Sequence, residues 1–309
     1  MVVLPHIHPD GDTIGSSIAL YHFLKTLGLE TIIVNNDTIP VSLRFLTSEG
    51  FATSEAFEAL GWEAGSYAVI VVDGSDLTRV NDRIEIYEKA AFSLCIDHHI
   101  TNEKFADLTW IEPTASSTGE LVYELIMANG VEVTSTMARA LYVAISTDTG
   151  SFKYDNTSAN TLRVVADLID TDFDVQEVIV EVYQNKDVDQ VRLLQIALNH
   201  LTLHQGGKIG ISYIEMRDVV SAQIENYDTD GICEAIRDIS GLEVAIFLRE
   251  IKPQIFKVSS RSKHQFDVAE LSMNFGGGGH KKAAGFTMEM PLEEALEAIL
   301  NCLKSKVSE

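Results

Sequence analysis

The chain has 309 residues, 46% hydrophobic and 22% charged, with 20 Gly and 6 Pro. That is the make-up of a folded globular protein and excludes disorder, collagen-like and Pro-rich architectures; a chain of this length buries roughly 75% of its unfolded surface and commonly divides into two domains. No run approaches the ~18 to 20 consecutive apolar residues of a membrane span, and the net charge of −23 argues against long duplex nucleic acid, whose affinity comes from phosphate neutralisation.

In chain order, residues 1–5 read as a strand, 13–27 as a helix, 31–35 as a strand and 54–60 as a helix. Strands follow at 68–73, 93–97 and 108–112, and amphipathic helices at 117–129, 134–146 and 158–169. AVIVVD at 68–73 is a continuous apolar run, the pattern of a strand covered on both faces of a parallel sheet. Residues 1–184 are therefore expected to be an α/β domain with a doubly wound, mostly parallel sheet. The stretch 175–203 reads as helical, with 185–204 taken as a connecting helix. Gln205-Gly206-Gly207 then punctuates the chain. Strands at 208–215, 242–250 and 254–262 and helices at 217–226, 230–239, 267–274 and 291–304 make 205–309 a smaller α+β domain.

The opening MVVLPHIHPDGD has no basic start and no long apolar stretch, so no secretory signal is read. Cys95, Cys233 and Cys302 are far apart and form no CxxC pair. Free thiols in a reducing cytoplasm are the expectation. Charge is uneven: Arg249 to Lys282 holds seven Lys/Arg and three acids, a net +4, which leaves −27 elsewhere. A small basic island in an acidic molecule suits a small anionic ligand.

Polar residues close the apolar elements of the first domain. His6-Ile7-His8-Pro9-Asp10-Gly11-Asp12 follows the first strand, Asp73 ends the run at 68–73, Asp97-His98-His99 ends the next, and Asp148 follows the helix at 134–146. Singly, each has a plain explanation: Asp10 or Asp12 as a helix cap, Asp73 as a turn residue, the histidines as packed side chains. Jointly, a doubly wound sheet delivers all four clusters to one edge, where ligands gather. Clustered carboxylates repel unless a cation neutralises them, and Asp oxygens with His nitrogens suit Mn²⁺, Mg²⁺ or Fe²⁺. Ser116-Ser117-Thr118-Gly119-Glu120 reads as a helix N-cap with Glu120 at the capping-box position, with a phosphate-binding loop as the competing reading. Trp62 and Trp110 read as packing residues.

Five segments together resemble the DHH family of phosphoesterases with a DHHA1 second domain: HIHPDGDTIGS at 6–16, VVDGSD at 71–76, IDHH at 96–99, STDTGSF at 146–152 and GGGGHKKAAG at 276–285. DHH alone is a weak tripeptide; the five in this order are specific and span essentially the whole chain. The resemblance implies two divalent cations, Mn²⁺ foremost with Mg²⁺, Fe²⁺ or Co²⁺ as alternatives. His6 and Asp10 are then expected on one cation, Asp73 bridging, and Asp12, His98 and Asp148 on the other. His99 is the expected phosphate-contacting residue and proton donor, with Asp97 orienting the histidines; His8 is not assigned. In the second domain Arg261, Ser262, Gly277, Gly278, Gly279 and His280 are the expected substrate-binding residues, and the glycine run is read as an anion-binding nest.

The implied activity is hydrolysis of very short single-stranded RNA from the 3′ end, dinucleotides included, and of 3′-phosphoadenosine 5′-phosphate to AMP. A phosphodiesterase for cyclic dinucleotides or their linear products is the alternative. A cytoplasmic enzyme with no membrane partner is expected, and a homodimer is the assembly considered. Family members carry a helix ahead of the first strand, whereas here the first motif opens at His6.

Overall fold

A computed structural model describes residues 1–47 and 49–304; the last part of the expected second domain, 305–309, lies outside the described residues. The chain divides into two compact units, Met1–Asn185 and Lys186–Glu309.

The first unit holds strands β1 (Val2–Leu4), β2 (Ile32–Val34), β3 (Phe51–Ala52), β4 (Ala68–Val72), β5 (Phe92–Asp97) and β6 (Leu108–Ile111). Its helices are α1 (Gly11–Thr26), α2 (Ser54–Ala59), α3 (Ile84–Glu88), α4 (Thr118–Ala128), α5 (Ser135–Asp148), α6 (Ala159–Ile169) and α7 (Val175–Ile179). The sheet order is β3-β2-β1-β4-β5-β6, parallel throughout. From β1 the chain winds outward through β2 to β3 and then returns to β4 on the other side of β1. The switch point, where ligands bind in such sheets, therefore falls between β1 and β4.

Alternation along the strands shows why the runs are apolar on both faces. Val3, Ile33, Ile70, Val72 and Ile96 pack against α1, α4, α5 and α6. Val2, Leu4, Val34, Val69 and Val71 face the opposite layer with Phe57, Tyr67, Val80 and Ile86. Trp62 lies edge-on to Phe57 and packs against this second layer, while Trp110 packs against the first; both serve packing, as expected. After α7 the helix widens into a π-helical turn, Val180–Gln184.

The second unit holds α8 (Val188–Asn199), β7 (Thr202–His204), β8 (Ile209–Ile214), α9 (Met216–Ser221), α10 (Ile232–Arg237), β9 (Val244–Lys252), β10 (Ile255–Ser262), α11 (Val268–Met273), β11 (Gly278–His280), β12 (Ala283–Glu289) and α12 (Leu292–Lys304). Its sheet order is β11-β12-β10-β9-β8-β7; β8 and β9 are parallel and the other pairs antiparallel. One face packs on α11 and α12 through Val258, Phe286, Leu271 and Ile299. The other packs on α8 and α10 through Ala245, Phe247, Leu193 and Ile236. The helix taken as a connector thus contributes Leu193 and Ala197 to the second unit's own core, because its apolar stripe has that sheet face to cover. Residues 202–204, read as the end of that helix, form edge strand β7.

The glycine run, read as an anion-binding nest, lies partly in the sheet. Gly278, Gly279 and His280 pair with β12 as edge strand β11. A Cβ at Gly277 would lie 2.2 Å from the Gly285 carbonyl oxygen, so the missing side chain permits a close backbone approach.

Candidate functional site

The site sits where β1, β4 and β5 end and where α1 and α4 begin. His6 follows β1. Asp10 is the N-cap of α1, its carboxylate accepting from the amides of Asp12 and Thr13. The cap reading and the ligand reading do not exclude each other, since Oδ1 caps the helix while Oδ2 lies 3.6 Å from His6 Nε2. Asp73 follows β4 with a left-handed backbone, φ 60°, a conformation uncommon outside glycine and tolerated where the surroundings fix it. Asp97 ends β5, and His98 and His99 follow. Asp148 is the last residue of α5, which ends two residues later than the sequence pattern indicated.

These residues meet. His6 Nε2 is 3.3 Å from Asp73 Oδ2. His98 Nε2 is 3.8 Å from Asp12 Oδ2, 3.7 Å from Asp73 Oδ1 and 3.5 Å from Asp148 Oδ2. Three sets, each with its ligand atoms within 4.8 Å, have the composition of a cation site: His6 with Asp10 and Asp73, Asp12 with His98 and Asp148, and Asp73 with His98 and His99. Asp73 belongs to two of them. The histidines are oriented from behind: His6 Nδ1 bonds the Ile7 carbonyl at 2.7 Å and His98 Nδ1 the Ala115 carbonyl at 3.3 Å. Each bond keeps a proton on Nδ1 and turns Nε2 toward the carboxylates, so that Nε2 is the nitrogen left for a metal once it gives up its own proton.

The electrostatics point the same way. Burial, then the neighbouring charges of Asp73, Asp148 and Asp10, raise Asp12 well above the carboxylate range. Burial pushes Asp148 up to about 7, against the pull of His98 and with the charges of Asp73 and Asp10. Burial alone would lower His6, but bonds to Asp10 and Asp73 raise it to about 10. Asp12 and Asp148, crowded this closely, hold protons more readily than ordinary carboxylates, and a divalent ion replaces those protons. The donor set therefore fits divalent metal.

His99 stands apart from the other imidazoles. Its Nδ1 is 2.6 Å from Asp97 Oδ1, and Asn102 Nδ2 donates to Asp97 Oδ2 at 2.6 Å. Asp97 is fully buried; burial would raise it, yet the bonds from His99 and Asn102 hold it below the usual carboxylate range. An ionised Asp97 keeps the His99 proton on Nδ1 and turns Nε2 outward from this chain of bonds.

The segment 116–120 takes neither form expected of it in full. Ser117 does cap α4, accepting from the Glu120 amide, but Glu120 reaches the Ser116 amide and hydroxyl rather than closing a box. The first turn of α4 faces acids of the chain itself. Thr118 and Gly119 amides donate to Asp12 Oδ2 and Oδ1 at 2.7 and 2.9 Å, and the Thr118 hydroxyl donates to Asp73 Oδ1 at 3.0 Å. A Cβ at Gly119 would lie 2.5 Å from Ala144 Cβ, so glycine there lets α4 approach α5. Thr118 and Asn102 went unseen in the sequence because a Thr after a cap and an Asn in a loop are each fully explained locally.

In the second unit, Arg261 Nε donates to Glu234 Oε1 at 2.7 Å and Nη1 to the Ser260 carbonyl at 3.0 Å, so part of its fork is engaged inside the unit. Ser262 is buried, and its hydroxyl donates to the Phe266 carbonyl at 2.8 Å; it shapes the turn after β10 and does not present its hydroxyl at the surface. Gly278, Gly279 and His280 are exposed on β11.

A parallel, doubly wound sheet with carboxylates and imidazoles gathered at its switch point makes the first unit a candidate divalent-metal domain, here followed by a second, α+β unit. Residues 1–145 match the DHH family N-terminal domain and residues 206–309 the DHHA1 domain. The chain is 32% identical over 307 residues to the bifunctional oligoribonuclease and PAP phosphatase NrnA of Thermus thermophilus, covering 99% of this chain and 90% of that one. It is 29% identical over 283 residues to the protein of the same name from Bacillus subtilis, covering 91% and 86%. An exopolyphosphatase-related protein from Bacteroides fragilis superposes with a TM-score of 0.90 at 26% identity, covering 98% of this chain and 91% of that one. The chain belongs to the DHH family, with a DHHA1 domain at its C-terminal end.

Proposed function

We propose that the protein is a two-cation phosphoesterase that hydrolyses very short RNA, dinucleotides included, to mononucleotides and converts 3′-phosphoadenosine 5′-phosphate to AMP. The observation that carries the reading is that Asp73 belongs both to the set with His6 and Asp10 and to a set with His98 and His99, one oxygen facing His6 Nε2 and the other His98 Nε2, as a carboxylate bridge between two ions requires. The names of the Thermus and Bacillus relatives, which cover nearly the whole chain, support the substrate class.

Two divalent ions, Mn²⁺ foremost, would supply an activated water and charge for the phosphoryl oxygens. The chain's own contributions are distinct. His6, Asp10, Asp73, Asp12, His98 and Asp148 hold the ions. His99, raised to about 9 against burial by its bond to Asp97 and the charges of Asp73 and Asp97, carries a second proton on Nε2 and gives it to the departing oxygen. Arg261, Gly277, Gly278, Gly279 and His280 are the proposed nucleotide contacts, where exposed strand-edge amides and a guanidinium suit an anion. No helix among the described residues is long and apolar enough to cross a membrane. A cytoplasmic location is part of the proposed reading.

The test is product analysis with Mn²⁺ on a defined dinucleotide, 3′-phosphoadenosine 5′-phosphate and a cyclic dinucleotide. Release of mononucleotide and AMP, abolished in Asp73→Ala, is expected. Turnover of the cyclic dinucleotide alone would replace the substrate assignment, and metal-independent turnover would end the mechanism.

A further inference from the structure

Asp73 divides its two oxygens. Oδ2 faces His6 Nε2 at 3.3 Å, whereas Oδ1 faces His98 Nε2 at 3.7 Å and His99 Nδ1 at 3.6 Å. A terminal carboxylate torsion is soft and roughly two-fold, so nothing intrinsic to aspartate keeps the oxygens apart in this way. Left to itself, a carboxylate beside two cations can rotate and chelate one of them with both oxygens. Something must hold the torsion.

The backbone restrains only the root of the side chain: φ at Asp73 is 60°, and its amide donates to the Ile96 carbonyl at 3.0 Å. The head is held by Thr118, whose hydroxyl donates to Oδ1 at 3.0 Å. Thr118 is fully buried, β-branched and in the first turn of α4, so its own χ1 is stiff. Its amide simultaneously donates to Asp12 Oδ2 at 2.7 Å, and Asp12 Oδ1 accepts from the Gly119 amide at 2.9 Å and from the Ser16 hydroxyl at 3.0 Å. One residue therefore touches the acid shared between two ligand sets and also Asp12, an acid of the set with His98 and Asp148.

We propose that Thr118 is a positioning residue: its hydroxyl fixes the rotation of Asp73 so that one oxygen serves each of two cation positions. The inference rests on the two-cation reading above. The hydroxyl uses one Oδ1 lone pair and leaves the other for the His98 side, while Oδ2 remains for the His6 side. Without it, Asp73 is free to turn both oxygens to one ion, and the other ion is loosened.

The experiment is calorimetric titration of the full chain with Mn²⁺, alongside metal analysis of the loaded protein. Wild type is expected to take two ions. Thr118→Val, which keeps the shape and removes the hydroxyl, is expected to bind the first ion as wild type does and the second roughly 10- to 100-fold more weakly, the usual scale for removing a hydrogen-bonding partner behind a metal ligand. Its activity recovers toward wild type at high Mn²⁺, and Thr118→Ser restores tight binding of both ions. Should T118V fail to fold, T118S against T118A carries the same comparison, because those two differ by the hydroxyl alone. Two ions bound with unchanged affinities in the variant lacking the hydroxyl would overturn the role of Thr118 and leave the two-cation reading standing. Fewer than two ions in wild type would remove that reading, and this inference with it.

Discussion

At the scale of single residues, the site is dominated by protons that a cation must expel. Asp148 is raised to about 7, by burial foremost, and His6 to about 10, by Asp10 and Asp73 overcoming burial. Both shifts mean that the folded, metal-free chain binds more protons than the unfolded one, so each contributes stability that declines with rising pH. For Asp148 the loss runs from about 3.8 through about 7, and for His6 from about 6.5 through about 10. Cation affinity has the opposite sign, because the ligands must be deprotonated. Apparent Mn²⁺ affinity should therefore climb as pH rises through 7 and continue toward 10, with protons released on binding. Calorimetry at one pH in two buffers of different ionisation enthalpy measures that release directly. A pH-independent affinity with no proton release would contradict the crowding of these carboxylates around the imidazoles. In the metal-free protein the same argument makes mild acid stabilising, the direction that relief of self-repulsion also gives a chain of net charge −23.

At the scale of elements, the ligand-bearing parts of the fold were legible in the sequence because each is an apolar run closed by a charged residue. β4 reads as AVIVV followed by Asp73, and β5 ends on Asp97 before the two histidines. What escaped were elements whose side chains carry no pattern. β11 is Gly-Gly-His, with too few side chains to show a period of two. β12 does alternate, burying Ala284, Phe286 and Met288, but its opening Ala-Ala-Gly reads as the tail of a loop. Thr118 escaped because its role depends on Asp12 and Asp73, which are distant in the chain. The close approach at Gly277 yields an element-scale prediction. In Gly277→Ala the new Cβ meets backbone at 2.2 Å, and a carbonyl cannot turn away as a flexible side chain can. The segment leading into β11 must shift, at a cost of about 1–3 kcal/mol typical of overpacking, read as a lower denaturant midpoint of the second unit's transition. Mn²⁺ stoichiometry should stay at the wild-type value while KM for a dinucleotide rises. An unchanged KM would take β11 out of substrate binding.

At the scale of the whole molecule, charge offers a way to separate two origins of length selection. The chain carries −23 overall, yet Arg249 to Lys282 is net +4. A dinucleotide brings few phosphates and can engage the basic segment while most of it stays clear of the acidic surface. A long single strand must lay further phosphates over that surface, each repelled. Repulsion between exposed charges is screened beyond a Debye length of about 30 Å at 0.01 M salt and about 8 Å at 0.15 M. Attraction to the basic segment is screened as well, but both substrates share it, so it cancels in their ratio. The preference for a dinucleotide over a long strand, taken as a ratio of kcat/KM, should therefore be largest at low ionic strength and shrink as salt is added. A steric limit would behave differently, since salt does not widen a site that is too narrow. Measuring that ratio across a salt series, with Mn²⁺ held saturating, decides between them: a falling ratio assigns the selection to the acidic exterior, and a constant ratio assigns it to shape.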